Sequence, residues 1–556
     1  MTFQSLDEPI GEAQSFNYLG EVYIEQGGYL QAKTSYEAAL AIFEVLAVPL
    51  EADLSPVDAY TLRFQAINLD NLGILYGELG QYDVALDFHQ QALEIRQTLG
   101  EKQFEKNTLL NIGLIYKRLD DYPKALDYYQ RALTISQAIE DRLGEAIALN
   151  NIGLLYDQLG DSTIGLKYLQ TALSIYQKLG DLTGEGNTFD SLGTVYRSLG
   201  DYDQALQSYE RALVILHAVG QRSLEKTVLS HMGDLFAAQG RFELAIIFYK
   251  QSVEITEDIR QPLQALPREQ QEAYAATVEN TYRSLIDLLL EQGRILEAQQ
   301  ILELLKVEEL RQFTRATYTN GVLIYDQVEQ PVVDIYDSLI ALGSEVFDCN
   351  RDRECDPTAL DSQLFELEKH YNQQIQSFEE TVRRNRADDD EFYDPTYLAS
   401  DALSLVNAQP GTVLIYPVVL VDKLWLLWTA TGGVVGSIEV PISQAELSDA
   451  VLQFQQQLRQ PESWSLAALR ATSQKLYHWL IEPLETELVQ TDIRQLIFAQ
   501  DRITRYIPMS ALYDGQQFLI ERYTISTVLS ADLTDTQARL DSVDASPVLY
   551  SKRLKS

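Results

Sequence analysis

Apolar, aromatic and small residues recur along this chain with a period of 40 residues. Five segments share the pattern, and they begin at Asn71, Asn111, Asn151, Ser191 and His231. Within each segment the apolar positions follow helical spacing on both sides of a turn, such as Leu79-Gly80 or Leu199-Gly200. The pattern therefore predicts antiparallel helix pairs that stack into a solenoid.

Small residues stand where the predicted helices should touch. Each segment has a glycine two residues after its start, and most have an alanine at a matching place of the second helix. These residues are Gly73, Gly113, Gly153, Gly193 and Gly233, and then Ala85, Ala125, Ala205 and Ala245. We expect the glycines to bring the first helix of each unit close to its neighbour, because a side chain would hold the helices apart.

Two atypical copies flank the regular segments. The earlier copy is followed by an insertion, and it contains Gly20, Tyr23, Ala32, Tyr36 and Ala39. The last copy runs from Tyr282 through Gly293 and Ala298, and it has Ile286 and Leu305 where the regular copies have small residues. We expect this last copy to cap the array, because terminal repeats are commonly degenerate.

After the repeats the composition changes to short β-rich runs that alternate with helices. The expected strands are VLIYPVVL, LWLLWTAT and QLIFAQ, with helices near Ala445 to Leu458 and near Ala467 to Thr486. Such alternation predicts an α/β sheet domain.

The net charge of −39 narrows the classes of partner. It repels phosphate backbones and anionic lipid surfaces, so nucleic acid and membranes are poor partners. It favours basic peptides, or it serves only to keep the protein soluble. The start of the chain lacks the pattern of a secretory signal, and the most apolar stretch, Val413 to Val435, is interrupted by Asp422 and Lys423. We therefore expect a cytoplasmic protein without a membrane span.

The cysteines of the chain do not suggest a metal site. Cys349 and Cys355 are its two cysteines, and they have no nearby histidine that could complete a zinc site. We expect a surface loop with reduced thiols, no metal and no cofactor.

The 40-residue units, with Leu-Gly, Tyr, Ala, an aromatic residue and Ala in order, resemble the longer form of the tetratricopeptide repeat. The segment from Arg505 to Ser530, RYIPMSALYDGQQFLIERYTISTVLS, resembles the CHAT domain, a caspase-like, separase-related domain found behind such repeats in bacteria. Its Asp-Gly pair is expected in a hairpin and its Glu-Arg-Tyr run in a strand. Together the two resemblances cover nearly the whole chain.

These resemblances imply a mainly α protein, a tetratricopeptide α-solenoid followed by a partial α/β caspase-like domain. The expected domains are an N-terminal repeat with insertion (1–60), five 40-residue repeats (61–260), a degenerate capping repeat with a connecting helix (261–315), a helical linker (316–395) and an incomplete CHAT domain (396–556).

The resemblance also implies a cysteine peptidase, whose catalytic His-Gly motif and Cys motif follow the Glu-Arg-Tyr run in the family. In this sequence that run is followed by neither histidine nor cysteine. Such a domain would be truncated and catalytically incomplete. His370 and His478 lie on predicted helices, and Cys349 lies far from any strand end, so we expect no substitute dyad. The motifs of phosphate-binding loops, zinc peptidases and serine hydrolases are also missing.

The first helices of the repeats carry the candidate binding residues. In tetratricopeptide solenoids these helices line the concave wall, and Asn71, Asn111, Asn151, Ser191 and His231 occupy equivalent positions on it. Side-chain amides both donate and accept hydrogen bonds, so a ladder of them can hold a peptide backbone. An equally weighted alternative is that the asparagines connect adjacent repeats.

Two other features of these helices have simpler interpretations. The tyrosines at the packing positions, namely Tyr76, Tyr116, Tyr156 and Tyr196, are predicted core residues. Some tetratricopeptide domains clamp a C-terminal carboxylate with Lys and Asn one turn apart on the first helices. At the corresponding positions this chain has Asp70 with Ile74, and Leu110 with Leu114. We therefore expect no carboxylate clamp.

Three classes of function follow from the sequence. The leading one is a scaffold that binds a protein or peptide through the repeats, with basic ligands favoured by the net charge. The second is a caspase-like peptidase or effector whose catalytic segment is missing from this chain. The third is an assembly protein that oligomerises through the edge of the CHAT sheet.

Overall fold

The structure is a computed structural model, and it falls into two compact units. The first unit comprises Met1–Leu285 and Gly321–Phe392, and the second comprises Ile286–Asn320 and Tyr393–Ser556. The structure describes residues 3–25, 29–46, 48, 50, 54–263, 268–310, 325, 327–351, 355, 358–387, 406–407, 411–430, 435–459, 465–490 and 493–528. Residues 529–556 lie outside the described residues.

Helices in antiparallel pairs form most of the first unit. Their bounds are α1 Phe3–Glu25, α2 Tyr29–Leu46, α3 Pro56–Glu78, α4 Tyr82–Leu99, α5 Lys102–Arg118, α6 Tyr122–Ala138, α7 Arg142–Gln158, α8 Ser162–Leu179, α9 Leu182–Ser198, α10 Tyr202–Ala218, α11 Arg222–Ala238, α12 Phe242–Leu263 and α13 Arg268–Glu291. The odd-numbered helices from α3 to α11 are the first helices of the five regular units, so the predicted α-solenoid is confirmed.

Local signals set the ends of these helices. Aspartate side chains before several helices accept a hydrogen bond from the amide three residues later, as Asp141 does from Gly144 at 3.1 Å and Asp181 from Gly184 at 3.0 Å. The turns inside the units require positive φ, which glycine adopts at least cost. Gly80 and Gly200 supply it with φ of 73° and 78°.

The glycines of the first helices pack as predicted. A Cβ atom added to any of them would collide with a side chain of the second helix of the same unit. The shortest contacts would be 2.6 Å for Gly73 to His89, 2.6 Å for Gly113 to Tyr129, 2.8 Å for Gly153 to Leu169, 2.5 Å for Gly193 to Tyr209 and 2.7 Å for Gly233 to Tyr249. Close approach of the two helices therefore depends on the missing side chain.

The tyrosines predicted for the core are half-buried and join the two helices of a unit. Tyr76 stacks on Phe88, Tyr116 on Tyr128 and Tyr156 on Tyr168, with ring centroids 5.5, 5.5 and 5.4 Å apart. Offset stacking of this kind adds to the free energy of burial. Tyr196 is half-buried at the equivalent place of α9.

Two further helices, α15 Gln330–Arg351 and α16 Thr358–Ala387, belong to the first unit. We write α14 for Ile295–Leu310, which precedes them in the chain. The helix α15 packs against α10, where a Cβ on Gly343 would lie 2.9 Å from Val214. A buried ion pair, Lys250 to Glu329 at 2.7 Å, joins α12 to the start of this segment.

The prediction of reduced thiols on a surface loop is wrong. Cys349 is buried on α15 and forms a disulfide with Cys355. The two Cα atoms are 5.2 Å apart, within the range that a disulfide requires.

The second unit is built on a mixed sheet. Its strands are β1 Thr412–Val419, β2 Leu424–Ala430, β3 Val435–Val440, β4 Gln495–Ala499 and β5 Thr524–Val528. Within the described residues the order is β3-β2-β1-β4-β5, antiparallel from β3 to β1 and parallel from β1 to β5. The helices that follow β3 are α17 Gln444–Arg459, α18 Leu466–Leu480, α19 Glu485–Gln490 and α20 Leu519–Arg522.

Both faces of β1 are covered, as the continuous apolar run of that strand implies. Ile415 joins the core that Phe454 of α17 and Leu476 of α18 complete. Tyr416 points the other way and donates a hydrogen bond to Glu303 of α14 at 2.7 Å. The helix α14 therefore lies on the opposite face of the sheet from α17 and α18.

Two details of this unit differ from the sequence interpretation. The strand β3 was not predicted, and the Glu-Arg-Tyr run forms the helical turn α20 and the residue after it, so that β5 begins at Thr524. The Asp514-Gly515 pair does turn a hairpin, closed by an antiparallel bridge between Tyr513 and Phe518. None of the helices in the described part of the chain combines the length and low charge needed to span a membrane.

Candidate peptide-binding face

The five candidate residues lie at equivalent positions on the first helices of the regular units. Asn71, Asn111, Asn151, Ser191 and His231 stand on α3, α5, α7, α9 and α11 respectively. We call the surface that these helices share the first-helix face. The asparagines and His231 are half-buried on it.

Ser191 is the member of the set that does not present its side chain. It is 2% exposed, and its hydroxyl donates a hydrogen bond to the carbonyl of Asn187, one turn earlier in α9, at 3.0 Å. A hydroxyl bonded back to its own helix is not free to hold a ligand.

His231 and Asn71 bond to the preceding first helix. The Nδ1 atom of His231 lies 2.8 Å from the carboxylate of Asp190, and Asn71 donates to Glu21 at 3.1 Å. Burial alone would lower the pKa of His231, but the Asp190 carboxylate outweighs it and the pKa is raised. For these two positions, the geometry agrees with the alternative that they connect adjacent units.

Other polar side chains connect successive first helices in the same way. Arg118 donates to Glu78 at 2.8 Å and to the Gly77 carbonyl at 2.9 Å, and Ser198 donates to Asp157 at 3.0 Å. The amides of Asn111 and Asn151 have no such partner among the described residues. They are the members of the ladder whose hydrogen-bonding groups remain available.

The first-helix face also carries cations that the sequence analysis did not single out. Lys117 and Lys226 are half-buried on α5 and α11. Burial lowers the pKa of Lys117 and so does Arg118, while Asp190 partly offsets them. Burial also lowers the pKa of Lys226, with Glu78 opposing this effect and Arg118 adding to it.

The same interactions agree with a curved first-helix face. Glu78 of α3 and Lys226 of α11 belong to helices separated by α5, α7 and α9. A straight stack would place them on the order of 30 Å apart, given helix spacings of about 8–10 Å. Charges at that distance are screened in salt water. The influence of Glu78 and Arg118 on the pKa of Lys226 therefore agrees with the superhelical curvature that stacked helix pairs adopt.

The places of a carboxylate clamp are occupied by residues with other roles. Asp70 is buried, and its carboxylate bonds to His89 at 2.9 Å, Arg96 at 2.6 Å and Thr108 at 2.7 Å. Leu110 is buried as well. These residues therefore join units and fill the core.

The groups weighed as a substitute catalytic dyad do not form one. His478 is on α18, 67% exposed, and its Nδ1 atom lies 2.5 Å from Glu482. His370 is on α16 beside Gln374, and Cys349 has no thiol because it is in the disulfide. The described residues contain no group of three or more His, Cys, Asp or Glu side chains that could hold a metal ion.

Family models match both parts of the chain. Two tetratricopeptide repeat models match, one at residues 69–104 and the other at 105–178, 158–218 and 184–258, and the CHAT domain model matches residues 470–553. The chain carries tetratricopeptide repeats and a CHAT domain. The first-helix face therefore lies on the tetratricopeptide repeats. The CHAT match contains β4, β5 and α18 from residue 470 onward.

Solved structures resemble the chain at low identity. BtubC from P. vanneervenii is 21% identical, with 41% of this chain and 91% of that chain covered and a TM-score of 0.33. Apo RapI is 17% identical, with 54% and 97% covered and a TM-score of 0.37. The Rap conjugation gene regulator of plasmid pLS20, solved with the Phr* peptide, is 16% identical, with 58% and 80% covered and a TM-score of 0.43. No curated protein is significantly similar to the chain.

Proposed function

We propose that this protein is an interaction scaffold whose tetratricopeptide array binds an extended peptide segment of a partner protein. The available amides of Asn111 and Asn151, at equivalent places on neighbouring first helices, carry the proposal. An amide can donate to a peptide carbonyl and accept from a peptide N–H, so two of them one unit apart can hold a backbone in register.

The other members of the set shape this site. Asn71 and His231 fix the spacing of the first helices through their bonds to Glu21 and Asp190. Each amide bond to a ligand contributes only about 0.5–1.5 kcal/mol. Asn111 and Asn151 alone would therefore give weak binding, and charged or apolar contacts to the ligand must supply the remainder.

We further propose that the CHAT residues of this sequence do not by themselves supply a caspase-like dyad and that the scaffold works in the cytoplasm. A caspase-like mechanism needs a thiolate and a histidine. Residues 524–556 contain neither residue type. The acidic composition of the chain would favour basic partners over its surface as a whole.

A random-peptide display library tests the binding proposal. Panning on the full chain, with counter-selection against the Asn111→Ala/Asn151→Ala variant, should enrich peptides that the variant binds at least about tenfold more weakly. The control is Gln130→Ala, which removes an exposed amide from the second helix α6. If every enriched peptide binds the double variant as tightly as the unchanged protein, the first-helix face is not the binding site.

A further inference from the structure

We propose that the bound segment is acidic, and that Lys117 and Lys226 on the first-helix face bind its carboxylates. This inference rests on the proposed function and specifies the chemistry of the partner. It runs against the expectation of a basic partner that the net charge of the whole chain suggests.

The carboxylates of the first-helix face are already engaged. Glu78 accepts from Arg118 at 2.8 Å, and Asp190 bonds to His231 at 2.8 Å. Asp157 receives hydrogen bonds from the hydroxyls of Ser162 at 2.5 Å and Ser198 at 3.0 Å.

Asp234 is engaged in the same way. It accepts from the Tyr249 hydroxyl at 2.5 Å and lies 3.6 Å from Arg197. A basic ligand would therefore compete with these internal partners for the carboxylates.

The two lysines, in contrast, lack a carboxylate in contact. Lys117 has no ion-pair partner in the part of the chain that the structure describes. Lys226 donates a long hydrogen bond of 3.4 Å to the hydroxyl of Tyr274 and lies 5.5 Å from the centre of that ring. Their lowered pKa values agree with this, because burial and Arg118 disfavour the ammonium form and the carboxylates in reach do not fully compensate.

Lys106 is a lysine of the same array whose ion pair joins two units. It stands at the position equivalent to Lys226, five residues before the start of its unit. Its ammonium is 4% exposed and pairs with Asp141 at 2.7 Å. The equivalent Lys226 is more accessible, and within the described residues its ammonium contacts the phenol of Tyr274 but no carboxylate, so its charge is not needed to join the helices.

The acidic surface of the protein does not prevent this binding. Charges farther away than about 8 Å are screened at physiological ionic strength. Inside a curved face with low local dielectric, the nearby ammonium groups dominate the field that a ligand meets. An extended acidic segment can thus use the amides of Asn111 and Asn151 for its backbone and the lysines for its side chains.

Three fluorescein-labelled peptides test the inference. Each has twelve residues in which Ser alternates with Glu, Gln or Lys, and we call them the Glu/Ser, Gln/Ser and Lys/Ser peptides. Fluorescence anisotropy on the full chain at physiological ionic strength should give the Glu/Ser peptide an affinity at least about tenfold above the Gln/Ser peptide. Lys117→Gln and Lys226→Gln should each weaken the Glu/Ser peptide by roughly tenfold. Lys167→Gln is the control, because this exposed lysine lies on the second helix α8.

The outcomes separate the inference from the function on which it rests. If the Gln/Ser or Lys/Ser peptide binds at least as tightly as the Glu/Ser peptide, and Asn111→Ala/Asn151→Ala weakens it, the acidic preference is wrong while the binding face stands. If neither the asparagine nor the lysine variants change the binding of any peptide, both are wrong. The inference is supported if Lys117→Gln and Lys226→Gln weaken binding of the Glu/Ser peptide while Lys167→Gln leaves it unchanged.

A second readout uses the amines themselves. Acetic anhydride acetylates neutral lysine amines, and its reaction with Lys117, Lys226 and the exposed Lys167 can be followed by mass spectrometry with and without the peptide. The Glu/Ser peptide should protect the two lysines and leave Lys167 unprotected. Equal modification with and without the peptide would overturn their assignment as carboxylate ligands.

Discussion

At the scale of single residues, the turns between units need one residue with positive φ, and this residue is glycine in most turns but not in all. The equivalent positions Gly100, Gly180 and Gly220 have φ of 68°, 70° and 71°, and Glu140 takes the same place with φ of 57°. A side chain in this left-handed region costs roughly 1–2 kcal/mol relative to ordinary backbone. The fold does not require this strain, because the equivalent turns of the neighbouring units have glycine at the same position.

Glu140→Gly should therefore stabilise the first unit by about 0.5–1 kcal/mol, less than the full strain because glycine loses more entropy on folding. Chemical denaturation of the full chain, followed by the far-UV signal of the helices, measures the change. Gly180→Ala is the matched reverse, since nothing lies within 4 Å of the added Cβ and only the backbone is affected. It should destabilise the unit by a similar amount, and an unchanged midpoint in both variants would contradict this account of the turns.

At the scale of elements, the docking of α15 and α16 on the array buries acidic groups. Glu210 of α10 is half-buried near Glu368 of α16, and the hydroxyl groups of Tyr336 and Tyr371 lie close by. Burial, and then the charge of Glu368, raises the pKa of Glu210 from 4.5 to about 7. The contact between these helices is therefore weakened when Glu210 ionises.

The sign of the pH dependence follows from this shift. Between pH 4.5 and about 7 the folded protein binds more protons at Glu210 than the unfolded chain does, so stability should fall as the pH rises through this range. Glu210→Gln keeps the shape without the charge. At pH 8 it should raise the free energy of unfolding by on the order of 1–3 kcal/mol, and at pH 5 it should change little.

Denaturation at several pH values, monitored by the near-UV signal of Tyr336 and Tyr371, measures this difference. Glu94→Gln is the control, because Glu94 is exposed on α4 and distant from α15 in the chain. A stability gain for Glu210→Gln that is the same at pH 5 and pH 8 would show that the charge of Glu210 is not its cause.

At the scale of the whole molecule, the period of the chain predicts the array because each unit repeats its own turn and glycine contacts. Features that depend on distant contacts or on a weak sequence pattern were not predicted. The short strand β3, VGSIEV, has a glycine and little alternation, and the disulfide of Cys349 has no signal in the local sequence. The contacts of Lys117 and Lys226 depend on their neighbours in the folded array, although the places of both lysines in the repeat are visible in the sequence.

The ladder itself was only partly predictable for the same reason. Equivalent positions in a repeat share a backbone place, but their partners depend on the neighbouring helix. Asp190 bonds to His231, and Glu21 accepts a hydrogen bond from Asn71. Among the described residues, Asn111 and Asn151 have no side-chain hydrogen-bond partner on the neighbouring helices. A period therefore predicts where a side chain stands, and not whether it is free to bind.

The most direct measurement of the central claim is site-specific photocrosslinking of a library-selected peptide to the full chain. A photoreactive benzoyl-phenylalanine at Leu114 lies on the first helix α5 beside Asn111, and one at Gln170 lies on the exposed side of the second helix α8. The account predicts that the peptide crosslinks to position 114 and not to position 170, and that Asn111→Ala/Asn151→Ala abolishes the crosslink. Crosslinking at position 170 in preference to 114 would place the binding site on the second helices and contradict the account.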